Sequence, residues 1–143
     1  MINSIRHVGI VCDDIEASLN FYKKFGFKVV SDNIENKKII GELLNLKDPD
    51  LRTIKLQDKN NFILELLYFN FYDTFKGIEL RNIFTPGITH IALTVSSLKD
   101  IIEVIKDDVV FLSDPKHSPD GKVKLVFCQA MDKVFLELVE EVK

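Results

Sequence analysis

The sequence predicts an α+β fold built from two copies of a βαβββ module. Three observations predict this fold. A strand pattern of isoleucine, any residue, histidine, apolar, small and apolar occurs twice, a helix start follows each copy, and each half ends in an apolar strand with one central glutamate. The 143 residues are enough for one domain with its own hydrophobic core.

The repeated strand places a histidine at the same position of each copy. Residues 5–10 read Ile-Arg-His-Val-Gly-Ile, and residues 88–93 read Ile-Thr-His-Ile-Ala-Leu. Because side chains alternate between the two faces of a strand, His7 shares its face with Gly9, and His90 shares its face with Ala92. These small neighbours leave room beside each imidazole, whereas the opposite face is aliphatic and suits packing against a helix.

A helix is predicted after each of these strands. Asp13 and Glu16 form a capping start in the first copy, and Ser97 and Asp100 occupy the corresponding positions in the second. Gly26 is predicted to end the first helix. Apolar residues follow each start at helical spacing: Ile15, Leu19, Tyr22 and Phe25 in the first copy, and Leu98, Ile101, Ile102 and Ile105 in the second.

The remaining elements complete the order β-α-β-β-β in each copy. Within a single domain of residues 1–143, we predict module one over about 1–68, a connector over about 69–86 and module two over about 87–143. The further elements predicted are strands at 52–57, 61–67, 122–128 and 133–139, and a short helix at 39–46.

The connector is rich in aromatic residues. An aromatic loop exposes a large apolar surface unless something covers it. We therefore expect it to pack over the sheet or at a subunit interface, or else to form a wall of a substrate pocket. The aromatic residues of this segment are Tyr68, Phe69, Phe71, Tyr72, Phe75 and Phe84.

A glutamate occupies the middle of the last strand of each copy. Residues 61–67 read Asn-Phe-Ile-Leu-Glu-Leu-Leu, and residues 133–139 read Lys-Val-Phe-Leu-Glu-Leu-Val. The strands are apolar on both faces around Glu65 and Glu137, so we expect both faces to be buried. A buried carboxylate costs several kcal/mol unless it meets a cation or takes up a proton.

Two matching carboxylates and two matching imidazoles predict a shared metal ion. If the copies pair around a pseudo-twofold axis, His7, Glu65, His90 and Glu137 converge as a His₂Glu₂ set, which suits a borderline divalent ion. Four protein ligands on an octahedral ion leave two positions for water or substrate oxygens, as catalysis requires. The alternatives are ordinary core histidines, and glutamates that lie at a sheet edge or pair with a lysine or arginine.

Composition argues against several other classes of protein. There are 19 Lys and Arg residues against 22 Asp and Glu residues, and the short basic pairs at 23–24 and 37–38 are too small for a nucleic-acid surface. The N-terminus lacks the pattern of a signal peptide, and no apolar stretch is long enough to cross a membrane. Cys12 and Cys128 form no CxxC pair, so we expect a reduced, cytoplasmic setting, with Cys12 in the core.

Five short motifs together resemble those of a known superfamily. They are residues 6–10 (Arg-His-Val-Gly-Ile), 18–22 (Ser-Leu-Asn-Phe-Tyr), 25–27 (Phe-Gly-Phe), 89–93 (Thr-His-Ile-Ala-Leu) and 135–140 (Phe-Leu-Glu-Leu-Val-Glu). The chain resembles the vicinal oxygen chelate superfamily, which includes glyoxalase I, methylmalonyl-CoA epimerase, extradiol dioxygenases and thiol-transferring fosfomycin-resistance enzymes. The resemblance covers nearly the whole chain. It implies paired βαβββ modules that form a curled, mixed sheet, an open barrel, around a catalytic metal. With it we expect a homodimer.

The position of Glu65 distinguishes members of that superfamily. Glyoxalase I-like members carry a metal ligand there, the epimerases commonly have glutamine, and the dioxygenases and fosfomycin enzymes use three ligands. The chain departs from the family at residues 129–133, which replace the usual Asp-Pro-Asp-Gly turn. The resemblance implies a divalent cofactor: Ni, Co, Zn, Mn or Fe. Arg6, Arg52 and Arg81 do not form a recognisable clamp for the carboxylates of glutathione.

The resemblance and the ligand set predict a glyoxalase I-like lyase or isomerase. Such an enzyme moves a proton on a carbon next to a carbonyl through a metal-stabilised enediolate. The substrate would be a small molecule such as a thiol adduct or a CoA thioester. Glu137 is the predicted base, with Glu65 as its partner. The alternatives are a methylmalonyl-CoA epimerase-like enzyme, an extradiol dioxygenase or thiol transferase of the same superfamily, and a non-catalytic small-molecule binding protein.

Overall fold

The computed structural model describes residues 2–70 and 82–142 of the chain. They belong to two compact units, Met1–Ile78 and Glu79–Lys143. Each unit combines α-helix with a mixed sheet of its own, and neither sheet closes into a barrel. This confirms the predicted α+β class with two βαβββ-like modules. The organisation of residues 1–143 as one domain stays a prediction.

The described part of the first unit, residues 2–70, contains four strands and two α-helices. In chain order they are β1 (Val8–Val11), α1 (Ile15–Lys23), β2 (Lys28–Ile34), α2 (Lys37–Leu44), β3 (Leu51–Gln57) and β4 (Ile63–Phe69). The strand order in the sheet is β1-β4-β3-β2. β1 runs parallel to β4, and the other neighbours are antiparallel. The first strand of the module therefore lies beside its last strand.

The second unit repeats this topology with shorter outer strands. Its elements are β5 (His90–Thr94), α3 (Leu98–Ile105), β6 (Val110–Phe111), β7 (Lys116–His117), β8 (Val123–Gln129) and β9 (Phe135–Glu141). β5 is parallel to β9, β9 is antiparallel to β8, and both β6 and β7 pair with β8. The second strand predicted for this module is thus replaced by two short strands, β6 and β7, of two residues each.

The helix starts show which capping predictions are right. In the second unit, Ser97 Oγ accepts a hydrogen bond from the Asp100 N–H at 3.2 Å, as predicted. In the first unit, the cap is Asp14 and not Asp13, since Asp14 Oδ1 accepts from the Ala17 N–H at 3.0 Å. Adjacent aspartates both satisfy the sequence rule for a cap, and the backbone geometry selects the second. The helix predicted at 39–46 begins two residues earlier, after an Asn36 cap.

The core of each unit lies on the sheet face opposite the histidine. α1 packs against β4, and α3 packs against β9. The prediction that both faces of the glutamate strands are buried is wrong, because the faces of Glu65 and Glu137 are only partly covered. The buried residues that form the two cores include Ile10, Leu19, Tyr22, Ile54, Leu56, Leu64 and Leu66 in the first unit, and Leu98, Ile105, Val126, Leu136 and Leu138 in the second.

Both cysteines belong to these cores. Cys12 and Cys128 are fully buried and are not joined in a disulfide. Burial raises the pKa of the Cys128 thiol to about 11, because the surrounding apolar groups disfavour the thiolate. These residues therefore act as small apolar side chains, as predicted for Cys12.

The predicted aromatic connector divides into three parts. Tyr68 and Phe69 belong to β4 and are half-buried. Phe71, Tyr72 and Phe75 lie outside the described residues. Phe84 is 81% exposed and does not pack over the sheet, so for this residue a subunit interface or a pocket wall stays the prediction. Over the described ranges, no helix has the length and apolarity needed to cross a membrane.

The separation between core and outer surface gives a test of stability. Leu66 is fully buried in β4, whereas Leu43 on α2 is 73% exposed. We expect Leu66→Ala to lower the free energy of unfolding by about 2–5 kcal/mol, because it leaves a cavity in the core. Leu43→Ala removes the same atoms from an exposed site and should change it by less than about 0.5 kcal/mol. Urea unfolding followed by circular dichroism measures both changes, and equal losses would contradict this description of the core.

Candidate functional site

The first unit brings His7 and Glu65 together. His7 lies immediately before β1, and Glu65 lies in the middle of β4. The parallel pairing of these strands places Gly9 beside Glu65, so His7 lies diagonally across from the carboxylate. The distance between His7 Nε2 and Glu65 Oε2 is 3.2 Å. We call these residues the first His–Glu pair.

The second unit repeats this arrangement with His90 and Glu137. His90 begins β5, Glu137 lies in β9, and the pairing of the strands places Ala92 beside the carboxylate. His90 Nε2 lies 3.2 Å from Glu137 Oε2. We call these residues the second His–Glu pair. The same topology, register and small neighbour thus produce the same atomic contact twice.

Both pairs are accessible from outside their own unit. The histidine side chains are 32% and 33% exposed, and the carboxylates of Glu65 and Glu137 are 14% and 21% exposed. Gly9 and Ala92 beside them are exposed. A Cβ atom on Gly9 would lie 3.1 Å from Leu67 Cδ1, so glycine also relieves crowding at this point of the sheet. Each pair is therefore shielded on its core side and open on the other.

The two pairs differ in the residue on the other side of the glutamate. In the first unit, β3 places Lys55 directly opposite Glu65. Lys55 Nζ lies 3.5 Å from Glu65 Oε1. In the second unit, β8 places Phe127 opposite Glu137. The Phe127 ring meets the His90 ring edge to face, with 5.1 Å between the centroids.

Thr89 supports His90 from the side away from the glutamate. Thr89 Oγ1 lies 2.7 Å from His90 Nδ1. An ionised Glu137 only accepts hydrogen bonds, so a neutral His90 donates from Nε2 and accepts the Thr89 hydroxyl proton at Nδ1. If Nε2 gives its lone pair to a cation, Nδ1 carries the proton and donates to Thr89 Oγ1. A hydroxyl serves either form, whereas the matching residue in the first unit is the exposed Arg6.

The donor atoms of each pair fit a divalent ion. Two ligands about 2.1 Å from one ion lie about 3.0 Å apart at a right angle and about 3.4 Å apart at the tetrahedral angle. The 3.2 Å between nitrogen and oxygen falls between these values in both units. The same distance also suits a hydrogen bond from imidazole to carboxylate. Over its described residues, neither unit alone gathers three His, Cys, Asp or Glu side chains that could hold a metal.

Sequence reasoning singled out His7, Glu65, His90 and Glu137 as one set of four ligands and missed their neighbours. The structure brings together the histidine and the glutamate of each unit. The convergence of all four residues on one ion stays a prediction. The roles of Lys55, Phe127 and Thr89 were not predicted. The signal for Lys55 was its place in the strand that precedes Glu65, but the pairing register between those strands was needed to use it.

Arg52 is engaged elsewhere in the first unit. Its Nε and Nη2 donate to Asp32 at 2.9 Å and 2.7 Å, and its Nη1 donates to Glu16 at 2.6 Å. The hydrogen bond from Arg52 lowers the pKa of the Asp32 carboxyl. Arg52 therefore links α1, β2 and β3 and does not serve as a clamp for a substrate carboxylate. Arg81 lies outside the described residues.

Comparisons with known proteins agree with this fold. A family model described as the Glyoxalase/Bleomycin resistance protein/Dioxygenase superfamily matches residues 4–137. The Uncharacterized protein YwkD of Bacillus subtilis (strain 168) is 25% identical over 142 residues, which cover 99% of each chain. A glyoxalase family protein from Bacillus cereus superposes with a TM-score of 0.90 at 13% identity, covering 100% of this chain and 97% of that one.

A second solved structure with the same fold is that of a fosfomycin resistance protein. The fosfomycin resistance protein FosX from Listeria monocytogenes, complexed with Mn(II) and a sulfate ion, superposes with a TM-score of 0.63 at 14% identity. The similarity covers 99% of this chain and 95% of that one. At this level of identity, the likeness concerns the fold.

The contact between Thr89 and His90 can be tested through cation binding. Thr89→Val leaves Nδ1 without its partner, so we expect the affinity for Zn²⁺ to fall about 10–100-fold. Thr89→Ser keeps the hydroxyl and should keep most of the affinity. Thr94→Val is a matched control, because Thr94 is an exposed threonine on the same face of β5 as His90. Isothermal titration calorimetry measures the affinities, and wild-type affinity in Thr89→Val would contradict this role.

Proposed function

The chain belongs to the Glyoxalase/Bleomycin resistance protein/Dioxygenase superfamily, and on that premise we propose that it is a metal-dependent lyase or isomerase of the glyoxalase I type. It would move a proton on a carbon next to a carbonyl group. The observation that carries this proposal is the repeated His–Glu pair, with the same 3.2 Å between Nε2 and Oε2 in both units. A single such pair is an ordinary hydrogen bond, but two in matching positions favour a shared ligand.

His7, Glu65, His90 and Glu137 are the residues that would hold the metal. The proposed ion is divalent: Ni, Co, Zn, Mn or Fe, all of which accept imidazole and carboxylate ligands. FosX, which shares the fold, has been crystallised with Mn(II). When bound, such an ion supplies Lewis-acid stabilisation of negative charge on neighbouring substrate oxygens. Coordination by all four residues requires both units, from one chain or from two.

Glu137 is the proposed base. Its Oε2 contacts His90, and among the described residues no lysine or arginine forms an ion pair with it. Its Oε1 would take the proton from the carbon next to the carbonyl and return it to the adjacent carbon, so the reaction is an isomerisation with no net change of redox state. Glu65 would act as the partner of Glu137 from the first unit.

The proposed substrate is a small molecule with two neighbouring oxygens. A thiol adduct or a CoA thioester fits this description, and the latter would make the chain an epimerase. The engagement of Arg52 with Asp32 and Glu16 argues against that arginine as a carboxylate clamp for glutathione. We also propose a cytoplasmic location and a homodimer. Light scattering of the purified protein would test the homodimer.

A second candidate is a three-ligand enzyme of the same superfamily, such as a thiol transferase. The observation that favours it is the ion pair between Lys55 and Glu65, because a carboxylate already neutralised by lysine is less available to a metal. In that case His7, His90 and Glu137 would hold the ion without Glu65. The superposition with FosX is compatible with this candidate.

Replacement of Glu137 tests the proposed base. We expect Glu137→Gln to lower kcat by about 10²–10⁴-fold, since an amide cannot accept the proton. The assay is isomerisation of the methylglyoxal adduct of a thiol by protein loaded with Ni²⁺, Co²⁺, Zn²⁺ or Mn²⁺. Elemental analysis of each variant separates loss of the base from loss of the metal. Glu141→Gln, an exposed change in the same strand, is the control. Unchanged turnover in Glu137→Gln would rule out this base.

Replacement of Glu65 separates the two candidate functions. In the glyoxalase I-type enzyme, we expect Glu65→Gln to weaken metal binding and isomerisation by about tenfold or more, because one charged ligand is lost. In a three-ligand enzyme the same change should leave metal binding nearly unaltered. Titration of wild type and variant with Mn²⁺ measures the affinity, and the isomerase assay measures the activity of the glyoxalase I-type candidate. Retention of full affinity in Glu65→Gln would favour the three-ligand candidate.

Removal of metal tests whether the protein is an enzyme of either kind. We expect dialysis against a chelator to abolish turnover and to lower Tm, and addition of a divalent ion to restore both. An ion at 100 times its Kd stabilises the folded protein by about 2.7 kcal/mol. Elemental analysis of protein purified without a metal-affinity step should find the ion in stoichiometric amount. Its consistent absence, with no effect of added ions on Tm, would indicate a non-catalytic binding protein.

A further inference from the structure

The residue opposite each glutamate is the clearest difference between the two His–Glu pairs. Register places Lys55 opposite Glu65 and Phe127 opposite Glu137. We propose that Lys55 is a positioning residue that competes with a divalent cation for the Glu65 carboxylate, and so makes the first His–Glu pair the weaker half of the metal site. This inference rests on the proposed function, because it assumes that both pairs take part in binding a cation.

Both carboxylate oxygens of Glu65 have partners within the first unit. Oε2 lies 3.2 Å from His7 Nε2, and Oε1 lies 3.5 Å from Lys55 Nζ. A cation that binds Glu65 must either share the carboxylate with the ammonium group or displace it. Either way, the bond between Lys55 and Glu65 opposes cation binding at this pair.

Burial alone does not explain the lysine. The Glu137 carboxylate is nearly as shielded as that of Glu65, at 21% against 14% exposed, and no described lysine or arginine pairs with it. Its neighbour Phe127 packs against His90 and carries no charge. A partly buried carboxylate in this fold therefore exists beside an apolar residue. Lys55 adds a positive charge that the matching position does without.

The position and the exposure of Lys55 allow it both to form and to release its ion pair with Glu65. It lies in the middle of β3, with Leu64 and Leu66 beside Glu65 packed into the core. The lysine side chain is 42% exposed, so it can swing away from Glu65 into solvent without unfolding the strand. The ion pair between Lys55 and Glu65 is therefore reversible. Glu65 can be held by Lys55 when no cation is present.

The test is the affinity for Mn²⁺ alone, measured by calorimetry without substrate. We expect Lys55→Met to bind Mn²⁺ about tenfold more tightly than the wild type, and Lys55→Arg to bind like the wild type because the positive charge remains. Lys37→Met is the matched control, since Lys37 Nζ also lies 3.5 Å from a carboxylate of the first unit, Asp50 Oδ1. It should change the affinity less than twofold.

A double-mutant cycle shows whether Lys55 acts through Glu65. If it does, Lys55→Met should have no further effect in a Glu65→Gln background. The same tightening in both backgrounds would overturn the proposal, because it would mean that Lys55 only repels the cation from a distance. Thermal unfolding of every variant confirms that the compared proteins are folded.

The outcomes distinguish this inference from the proposed function. If the wild type binds Mn²⁺, His90→Ala abolishes binding and Lys55→Met leaves it unchanged or weaker, the role of Lys55 is wrong and the metal site stands. If neither the wild type nor Lys55→Met binds Mn²⁺, both proposals fail.

Discussion

The candidate site of each unit is built around one contact, between an imidazole and a carboxylate across two parallel strands. The first strand of each module must lie beside the last for this contact to form, and the register must set the histidine two residues before the glycine or alanine that faces the glutamate. A carboxylate on a half-covered sheet needs a donor or a cation. The histidine supplies a donor, and its nitrogen lies at a distance that a metal would also accept.

The two modules keep this contact and differ around it. The second pair is supported by an aromatic ring and a threonine hydroxyl, both of which fix the orientation of His90. Among the residues that the structure describes, the first pair has neither of these supports, and its carboxylate meets Lys55 instead. The two modules therefore share the donor atoms of the His–Glu pair and differ in the neighbouring groups that orient the histidine or carry a charge.

The sequence predicts the two histidines and the two glutamates as candidate site residues because they depend on strand periodicity, which is a local property. His7 and His90 occur in matching strands, and Glu65 and Glu137 in others, so topology alone brings them together. The contact of Lys55 depends on the hairpin between β3 and β4, where Asn61 takes a left-handed backbone with φ of 67°. The polar residues between the two strands indicate a turn, but its left-handed residue and the resulting register are not visible from residue spacing. The partial exposure of the glutamate faces was missed because aliphatic neighbours such as Ile63 and Leu67 look like core residues in a sequence.

The division of each strand into an inward and an outward face has an evolutionary consequence. Leu64 and Leu66 support the fold from one side of β4, while Glu65 projects from the other. Under the proposed function, a change at the outward position would alter metal binding without opening a cavity in the core, so selection can act on one without the other. A scaffold of this kind can exchange one chemistry for another by single substitutions, which explains how many activities can arise on the same sheet.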